Sequence, residues 1–467
     1  MSRLEAGRGD LRNVPLESGP KTASRSALAG WLLFDWAAQP FFTLLTTFVY
    51  APYFANAMAS DPVRGQALWG YATAAAGLAI AMCSPVLGAI ADASGRRKPW
   101  IAAFGVVIVL ATSALWFGKP NDPTTIPIVL VAFAFAMLGV EFATVFNNAM
   151  MPTLAPPERL GRLSGNGWAV GYVGGVLSLV LMLGFLVGDP RTGKTLLGVA
   201  PWFGLDPAMR EGDRAAGPFT AIWFMVFVIP LFLFTPDRPA RLPLAAAVRT
   251  GLATLRDSLH RLRQHRDTRL FLIANMIYTD GLVALFVFGG IFASSTFGWT
   301  TIELGIFGVL LAISGVFGAL LGGRLDDRFG SKPVIVGSLA LLLFSLAAIL
   351  SIGADFIGPF KVAPPTPGDG LFASAGEKAY FIIGAVIGFA AGPLQAASRT
   401  FLVRVAPAER VTQYFGLLAL SGRVTSFLGP LLVAAVTQAF NSQRAGISML
   451  TLFFAAGMVL VMQVRTR

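Results

Sequence analysis

The sequence predicts an all-α membrane protein, with twelve transmembrane helices in two pseudo-symmetric six-helix halves. Three observations predict it. Hydrophobic residues make up 55% of the 467 and charged residues 13%, against about 25% charge in soluble domains. Twelve apolar runs each approach the roughly 20 residues that a spanning helix needs. One short loop signature occurs twice, half a chain apart, each time between two such runs; internal repeats of this kind mark secondary carriers.

In the first half the runs fall near 28–58, 66–91, 100–118, 126–149, 163–187 and 217–234. In the second they fall near 269–296, 302–325, 332–352, 378–397, 411–435 and 445–463. The expected organisation is a tail at 1–27, a six-helix bundle at 28–234, a connector at 235–268 and a second bundle at 269–467. An even number of spans puts both termini on one side. Most Lys and Arg stand in the termini and the even-numbered connections, which the positive-inside rule makes cytoplasmic. The net charge of +12 is then an orientation signal, and nucleic acid is not an expected partner. Residues 1–27 are polar, with no short apolar core ahead of a cleavage site, so no cleaved signal peptide is expected. A bacterial inner membrane is the expected location, with a vacuolar membrane as the alternative. The single cysteine, Cys83, excludes a disulfide framework within the chain and a cysteine-rich metal site. His260 and His265 lie in the basic connector and read as solvated. No cofactor and no bound metal are expected, and a monomer is.

In the connector, Leu244, Val248, Leu252, Leu255, Leu259 and Leu262 recur at helical spacing, and Arg249, Arg256 and Arg263 recur every seven residues. That pattern is a basic amphipathic helix, lying either on an anionic inner leaflet or in water as a plain linker. Segments 188–216 and 353–377, rich in Gly, Pro and Asp, read as external loops or partial lids. Within the first, Gly188 to Thr195 matches G-x-x-x-x-G-K-[ST] letter for letter. A phosphate loop needs a strand before it and a helix after it; here an apolar span precedes and Pro201 soon follows, so the match reads as coincidence.

The repeated loop reads Gly88-Ala-Ile-Ala-Asp92-Ala-Ser-Gly95-Arg96-Arg97-Lys98 in the first half and Gly323-Arg-Leu-Asp-Asp327-Arg328-Phe-Gly330-Ser-Lys332 in the second. Gly88 and Gly323 let another helix approach. Asp92 and Asp327 can accept hydrogen bonds from a neighbouring helix N-terminus. Gly95 and Gly330 permit the tight turn. Arg96, Arg97, Lys98, Arg328 and Lys332 hold it at the membrane surface and can pair with the carboxylates. Such contacts lock helix ends in one state and break in another. This loop resembles the signature of the major facilitator superfamily, and two copies after spans 2 and 8 imply that fold. The first copy departs at Ala93, where the family has a basic residue, which weakens a local Asp–Arg network there.

A narrower resemblance runs along nearly all spans. Trp31-Leu-Leu-Phe-Asp35-Trp36-Ala-Ala-Gln39-Pro40, Phe146-Asn-Asn148-Ala-Met-Met-Pro152 and Ser164-Gly165-Asn-Gly167-Trp168 are similar to the vacuole-effluxer branch of the superfamily. So are Tyr278-Thr-Asp280-Gly281, Gln395-Ala-Ala-Ser398-Arg399 and Phe415 to Arg423. The resemblance implies a solute carrier, with amino acids as one substrate class.

Charges inside spans are expensive and usually face a cavity or a partner. Asp35 and Asp280 hold comparable places in spans 1 and 7, each followed by a helix-loosening residue, Pro40 or Gly281. Either could hold a cation, a proton or a substrate ammonium, or pair with Arg423 or Arg399. Tryptophan faces favour cations, so Trp31 and Trp36 around Asp35 resemble an amine site; a tryptophan can equally be an interfacial anchor. Glu141 in span 4 is a candidate proton carrier. Asn147, Asn148, Asn166, Gln39 and Gln395 could line the same cavity or simply bond neighbouring helices, and Trp168 and Tyr278 from the matching segments are further cavity candidates. Arg423 could meet a substrate carboxylate or an acidic side chain, whereas Arg399 reads as snorkelling toward the edge. Gly167, Gly171, Gly174 and Gly175 read as a packing face of span 5 against the other half. The expected function is alternating-access transport of a small solute, coupled to a proton or cation through Asp35, Asp280 or Glu141. A drug or lipid exporter and a non-transporting receptor of the same fold stand as alternatives. No nucleophile–base or metal-ligand pattern points to an enzyme.

Overall fold

A computed structural model describes residues 23–59, 62–262, 265–299, 301–364, 370–407, 410–425 and 428–465. Eleven of its helices are long and apolar enough to cross a membrane. The first span is α1 (Arg25–Pro40), a π-helical stretch (Phe41–Phe48), and the short α2 (Tyr50–Tyr53). There follow α3 (Pro62–Ser94), α4 (Lys98–Ala114), α5 (Ile126–Met150), α6 (Leu160–Leu181) and α7 (Glu211–Phe234). The connector helix is α8 (Leu244–Leu262). The second half holds α9 (Arg266–Phe297), α10 (Thr301–Phe329), α11 (Ser331–Leu350) and α12 (Ala375–Val405). The segment expected as span 11 forms two shorter helices, α13 (Val411–Val424) and α14 (Leu428–Phe440). The chain closes with α15 (Gln443–Ser448) and α16 (Leu450–Gln463). The architecture is that of a twelve-span bundle in two halves.

Pro40 lacks an N–H, and the helix leaves α geometry immediately after it. Val49 N reaches the Leu44 carbonyl at 3.0 Å, and the Thr47 hydroxyl donates to the Phe42 carbonyl at 2.9 Å. Gly281 behaves otherwise than expected. Helix α9 runs through it unbroken, and an added Cβ there would lie 2.8 Å from Phe453 Cβ on α16. Its small size serves packing and does not loosen the helix.

Both repeated loops turn through a glycine with φ of +88°, Gly95 and Gly330. The lysine after each turn closes the last helix of its own half. Lys98 Nζ donates to the Phe232 carbonyl of α7 at 3.0 Å, and Lys332 Nζ to the Met462 carbonyl at the end of α16 at 2.7 Å. A cation at carbonyls left open by a helix C-terminus is favourable. Asp237, which the sequence reading passed over, accepts from Arg97 N at 2.9 Å and Lys98 N at 3.0 Å, and so caps α4.

The two halves meet tightly at the end that carries these loops and part toward the other, where Phe48 still reaches Gly308 of the second half. On α3, a Cβ at Gly88 would lie 2.7 Å from the Thr412 carbonyl, while one at Gly70 would meet nothing within 4 Å. These residues are eighteen apart, five full turns at about 3.6 residues each, so they share one face. Gly323 and Gly305 on α10 repeat the spacing. A Cβ at the first would lie 2.6 Å from the Gly161 carbonyl on α6, and one at the second meets nothing within 4 Å.

Helix α8 lies on α3 through Ala247, which is fully buried, and Gly251, where a Cβ would approach Ile90 N to 2.8 Å. Its expected apolar stripe stays outside that contact, with Leu244 62%, Val248 37% and Leu252 47% exposed. The side chains of Leu255, Arg256, Leu259, His260, Leu262 and Arg263 lie outside the described residues. The segment 188–195 closes on itself: Gly188 and Thr195 bridge, Asp189 N donates to the Lys194 carbonyl at 2.9 Å and Gly193 N to the Asp189 carbonyl at 2.8 Å. With those amides used internally, and with turns and bends after Thr195 up to Ala200, the phosphate-loop match is indeed chance.

Candidate functional site

A cavity of about 1000 Å³ lies between the halves. Each wall shows one helix face at spacings of three and four. Helix α1 with its π-helical extension supplies Asp35, Gln39, Phe42 and Thr43; α5 supplies Glu141, Thr144 and Asn148; α6 supplies Trp168, Gly171 and Tyr172. From the second half come Asn275, Tyr278 and Phe286 on α9, Leu304 and Phe307 on α10, and Gln395, Ser398 and Arg399 on α12. Polar groups gather toward the tightly closed end. Phe48, Phe286, Leu304 and Phe307 make an apolar wall nearer the separated end.

At the polar end Arg399 is the central group, 6% exposed. Its Nη1 and Nη2 lie 3.2 and 3.3 Å from Asp35 Oδ2. Nη1 also donates to Asn148 Oδ1 at 2.9 Å and Nη2 to the Ser164 carbonyl at 3.2 Å. The guanidinium carbon lies 5.8 Å from the Trp31 ring centre and 5.2 Å from that of Trp168. A planar cation that offers a fork of donors and stacks on indoles is how an arginine is held away from bulk water. Arg399 therefore does not snorkel to an edge; it joins α12 of one half to α1, α5 and α6 of the other. Trp31, fully buried with its Nε1 on the Asn147 carbonyl at 2.8 Å, is no interfacial anchor. Trp36 stacks on Trp223 at 5.6 Å rather than beside Trp31 over a cation.

A second polar cluster stands beside it. Tyr278 Oη donates to Asn275 Oδ1 at 2.9 Å and lies 2.6 Å from Ser398 Oγ. Gln395 Nε2 donates to Tyr172 Oη at 3.1 Å, again across the halves. Two candidates stand elsewhere. Asp280 is 1% exposed and outside the lining, because it follows the cavity-facing Tyr278 by two residues, about 200° around the helix. Asn166 precedes the cavity-facing Trp168 by the same interval and is turned away for the same reason. Asn147 is wholly buried behind Asn148. The side chain of Arg423 lies outside the described residues. Gly167, Gly171, Gly174 and Gly175 pack on α1 of their own half, where added Cβ atoms would approach Asp35, Gln39, Trp36 and Thr43. Gly161 and Gly165 of α6 meet the backbone of the other half, and Gly167 also meets Arg399 of that half.

The closed end is latched twice. Asp92 Oδ2 accepts from Gln413 N at 2.9 Å, at the start of α13, and Asp92 Oδ1 meets Arg97 Nη2 at 2.6 Å. Arg97 continues to Thr412 Oγ1 at 2.9 Å. Burial pushes the Arg97 guanidinium down to about 10 against the pull of Asp92, which leaves it charged at neutral pH. Asp92 thus has a basic partner despite Ala93. In the second half Asp327 Oδ1 accepts from Arg162 N at 3.0 Å, at the start of α6. Asp326, its unremarked neighbour, is 1% exposed and binds Arg404 at 2.7 Å, Ser331 Oγ at 2.9 Å and the Thr400 hydroxyl. Arg96 and Arg328 are exposed.

Two helical halves with a central cavity and one closed end define a membrane transporter of the major facilitator superfamily, not an enzyme. A structure of that superfamily, FucP in the outward conformation, superposes with a TM-score of 0.67 at 15% identity, covering 95% of this chain and 99% of that one. The family described as "Vacuole effluxer Atg22 like" matches residues 158–467, and the chain belongs to that family. It is 23% identical over 435 residues to the uncharacterized MFS-type transporter YxiO of Bacillus subtilis (strain 168), covering 92% of this chain and 93% of that one. It is 24% identical over 380 residues to autophagy-related protein 22 of Coccidioides immitis (strain RS). That alignment covers 75% of this chain but only 58% of the fungal protein.

Proposed function

We propose that the protein carries a small zwitterionic solute, an amino acid, across a membrane by alternating access, coupled to a proton or another monovalent cation. The observation that carries this reading is the Asp35–Arg399 pair in the cavity wall, 3.2 Å apart and contributed by opposite halves. An α-amino acid inserted between them replaces one ion pair by two, its carboxylate on the guanidinium and its ammonium on the carboxylate. The indoles of Trp31 and Trp168 hold Arg399 oriented while that exchange occurs. Because the pair joins the halves, a solute that opens it binds the two conformations unequally, the condition for binding to bias a conformational equilibrium. The orientation that fits the basic loops places the closed end in the cytoplasm, so the cavity faces the opposite side. A bacterial inner membrane suits that orientation, and the chain works as a monomer with both termini cytoplasmic.

A second reading rests on the wall of Phe48, Phe286, Leu304 and Phe307, which would suit an apolar drug or lipid. The two are separated by flux measurements in proteoliposomes with the D35N and R399Q variants. Truncating one member of a buried charge pair costs about 2–5 kcal/mol, so amino-acid flux per protein should fall at least about thirtyfold in each. Amino-acid flux that survives both substitutions, or its absence from the unaltered protein alongside flux of apolar compounds, would reject the zwitterion.

A further inference from the structure

Asp280 is the buried carboxylate that the solute site does not use. It is 1% exposed and lies mid-way along α9. Opposite it, α13 ends at Val424 and Thr425 is a bend, ahead of α14 from Leu428. Asp280 faces the hydroxyl of Thr425, the first residue past α13. The backbones are close here, since a Cβ at Gly429 in the first turn of α14 would lie 2.7 Å from the Asp280 carbonyl. The hydroxyl of Thr425 is the donor within reach of the carboxylate, and it leaves Asp280 Oδ1 buried without a hydrogen-bond partner.

One threonine hydroxyl is a weak setting for a buried carboxylate, since it leaves the second carboxylate oxygen unsatisfied. An ionised carboxylate away from water costs several kcal/mol unless it is paired, and it otherwise takes up a proton or coordinates a cation. No fixed cation serves it among the described side chains; that of Arg423, two residues before Thr425, lies outside them. Helices α14 and α16 carry no charged residue. On α12, Arg399 is held by Asp35 and Arg404 by Asp326. The tyrosine nearest in sequence, Tyr278, is turned to Asn275 and Ser398, and Tyr414 stands at the far end of α13. In the first half the carboxylate of the corresponding span, Asp35, has its arginine. The asymmetry divides the labour, with Asp35 holding solute and Asp280 holding something small and positive. Ends of interrupted helices are where oxygen ligands for such ions are set free.

We propose that Asp280 and Thr425 form a monovalent-cation site, taking sodium or a proton, at the bend that follows α13. The assignment deepens the coupling part of the function proposed above and rests on it for its purpose, but its test needs no solute. A cation bound only by the folded chain raises its stability in proportion to the logarithm of concentration. The melting temperature of the full-length protein in detergent is followed during titration with NaCl, with choline chloride holding ionic strength constant, and separately over pH. The unaltered protein should melt higher with sodium if sodium is the occupant, and higher as pH falls if the proton is. D280N, in which a neutral amide mimics the occupied site, should lose that response. T425V should weaken the sodium response.

A second measurement uses the unaltered chain and so does not depend on a variant folding. Dicyclohexylcarbodiimide, which adds to protonated carboxyl groups in apolar surroundings, should label Asp280, with protection as pH rises and, for a sodium site, on adding NaCl. Melting and labelling that are indifferent to both titrations, or a response that D280N retains in full, overturns the site. Absence of amino-acid flux in a protein that still answers to the cation removes the proposed solute and leaves the site standing.

Discussion

Arg97 is 1% exposed and touches both halves of the molecule, through Asp92 at 2.6 Å and Thr412 at 2.9 Å. Burial lowers its pKa to about 10. For a base with a depressed folded pKa the cost of the buried charge is present at every pH below that value and is relieved only above it. Asp92 is the carboxylate placed to offset it. Removing one partner of a buried pair costs about 3–5 kcal/mol because the other charge is left uncompensated. D92N should destabilise the protein by that order in thermal unfolding, and D92N/R97Q should recover part of the loss; a D92N protein as stable as the parent would mean that the pair carries no weight. Asp92 and Arg97 were legible because a loop motif presents them in sequence. For Arg399 the sequence left both a pairing with Asp35 and a place at the edge open, because its partners lie on three helices of the other half, which nothing in its own stretch of chain reveals. That Asp280 is turned from the cavity was not legible, because one span shows several polar residues to a linear reading, while a rotation of two positions decides which of them meets the cavity.

At the scale of the helix, two glycine pairs separate the conformations. Gly88 and Gly323 are pressed against the opposite half, while Gly70 and Gly305, five turns away on the same faces, meet nothing. Adding bulk to a packed contact costs about 1–3 kcal/mol. G88V and G323V should thus weaken the closed end seen here, raising the reactivity of cysteines introduced near it toward water-soluble maleimides. G70V and G305V should leave this state's stability unchanged. They should slow transport if rocking brings the separated ends together, so equal flux in G70V, G305V and the parent would argue that those faces never close. Helix existence was legible almost throughout, since apolar length alone marks a span. The bend at Thr425 was not, because an apolar run reads the same whether or not its helix is continuous. The glycines of span 5 were read correctly as packing residues but assigned to the wrong neighbour, since small size announces a close approach and not its direction.

The whole molecule is two rigid halves joined at one end by Asp92 on α13, Asp327 on α6 and Arg399 on Asp35. Alternating access then requires those joints to part while the ends now separated meet. The two carboxylate latches are related by the internal repeat: each carboxylate lies in the last turn of the second span of its half and accepts from a helix N-terminus of the other half. A hinge of that kind can be tested by fixing one end. Ser164 Oγ donates to the Ala396 carbonyl at 2.8 Å across the halves, so α6 and α12 run close enough there for a short covalent link. With Cys83 replaced by serine, S164C/A396C should oxidise to a cross-linked protein. That protein should still bind solute from the open side, measured by scintillation proximity, but should move none across the bilayer. Reduction should restore flux to the level of the uncrosslinked double variant. Flux that continues in fully cross-linked protein would mean that this end need not open, and alternating access about these joints would have to be abandoned.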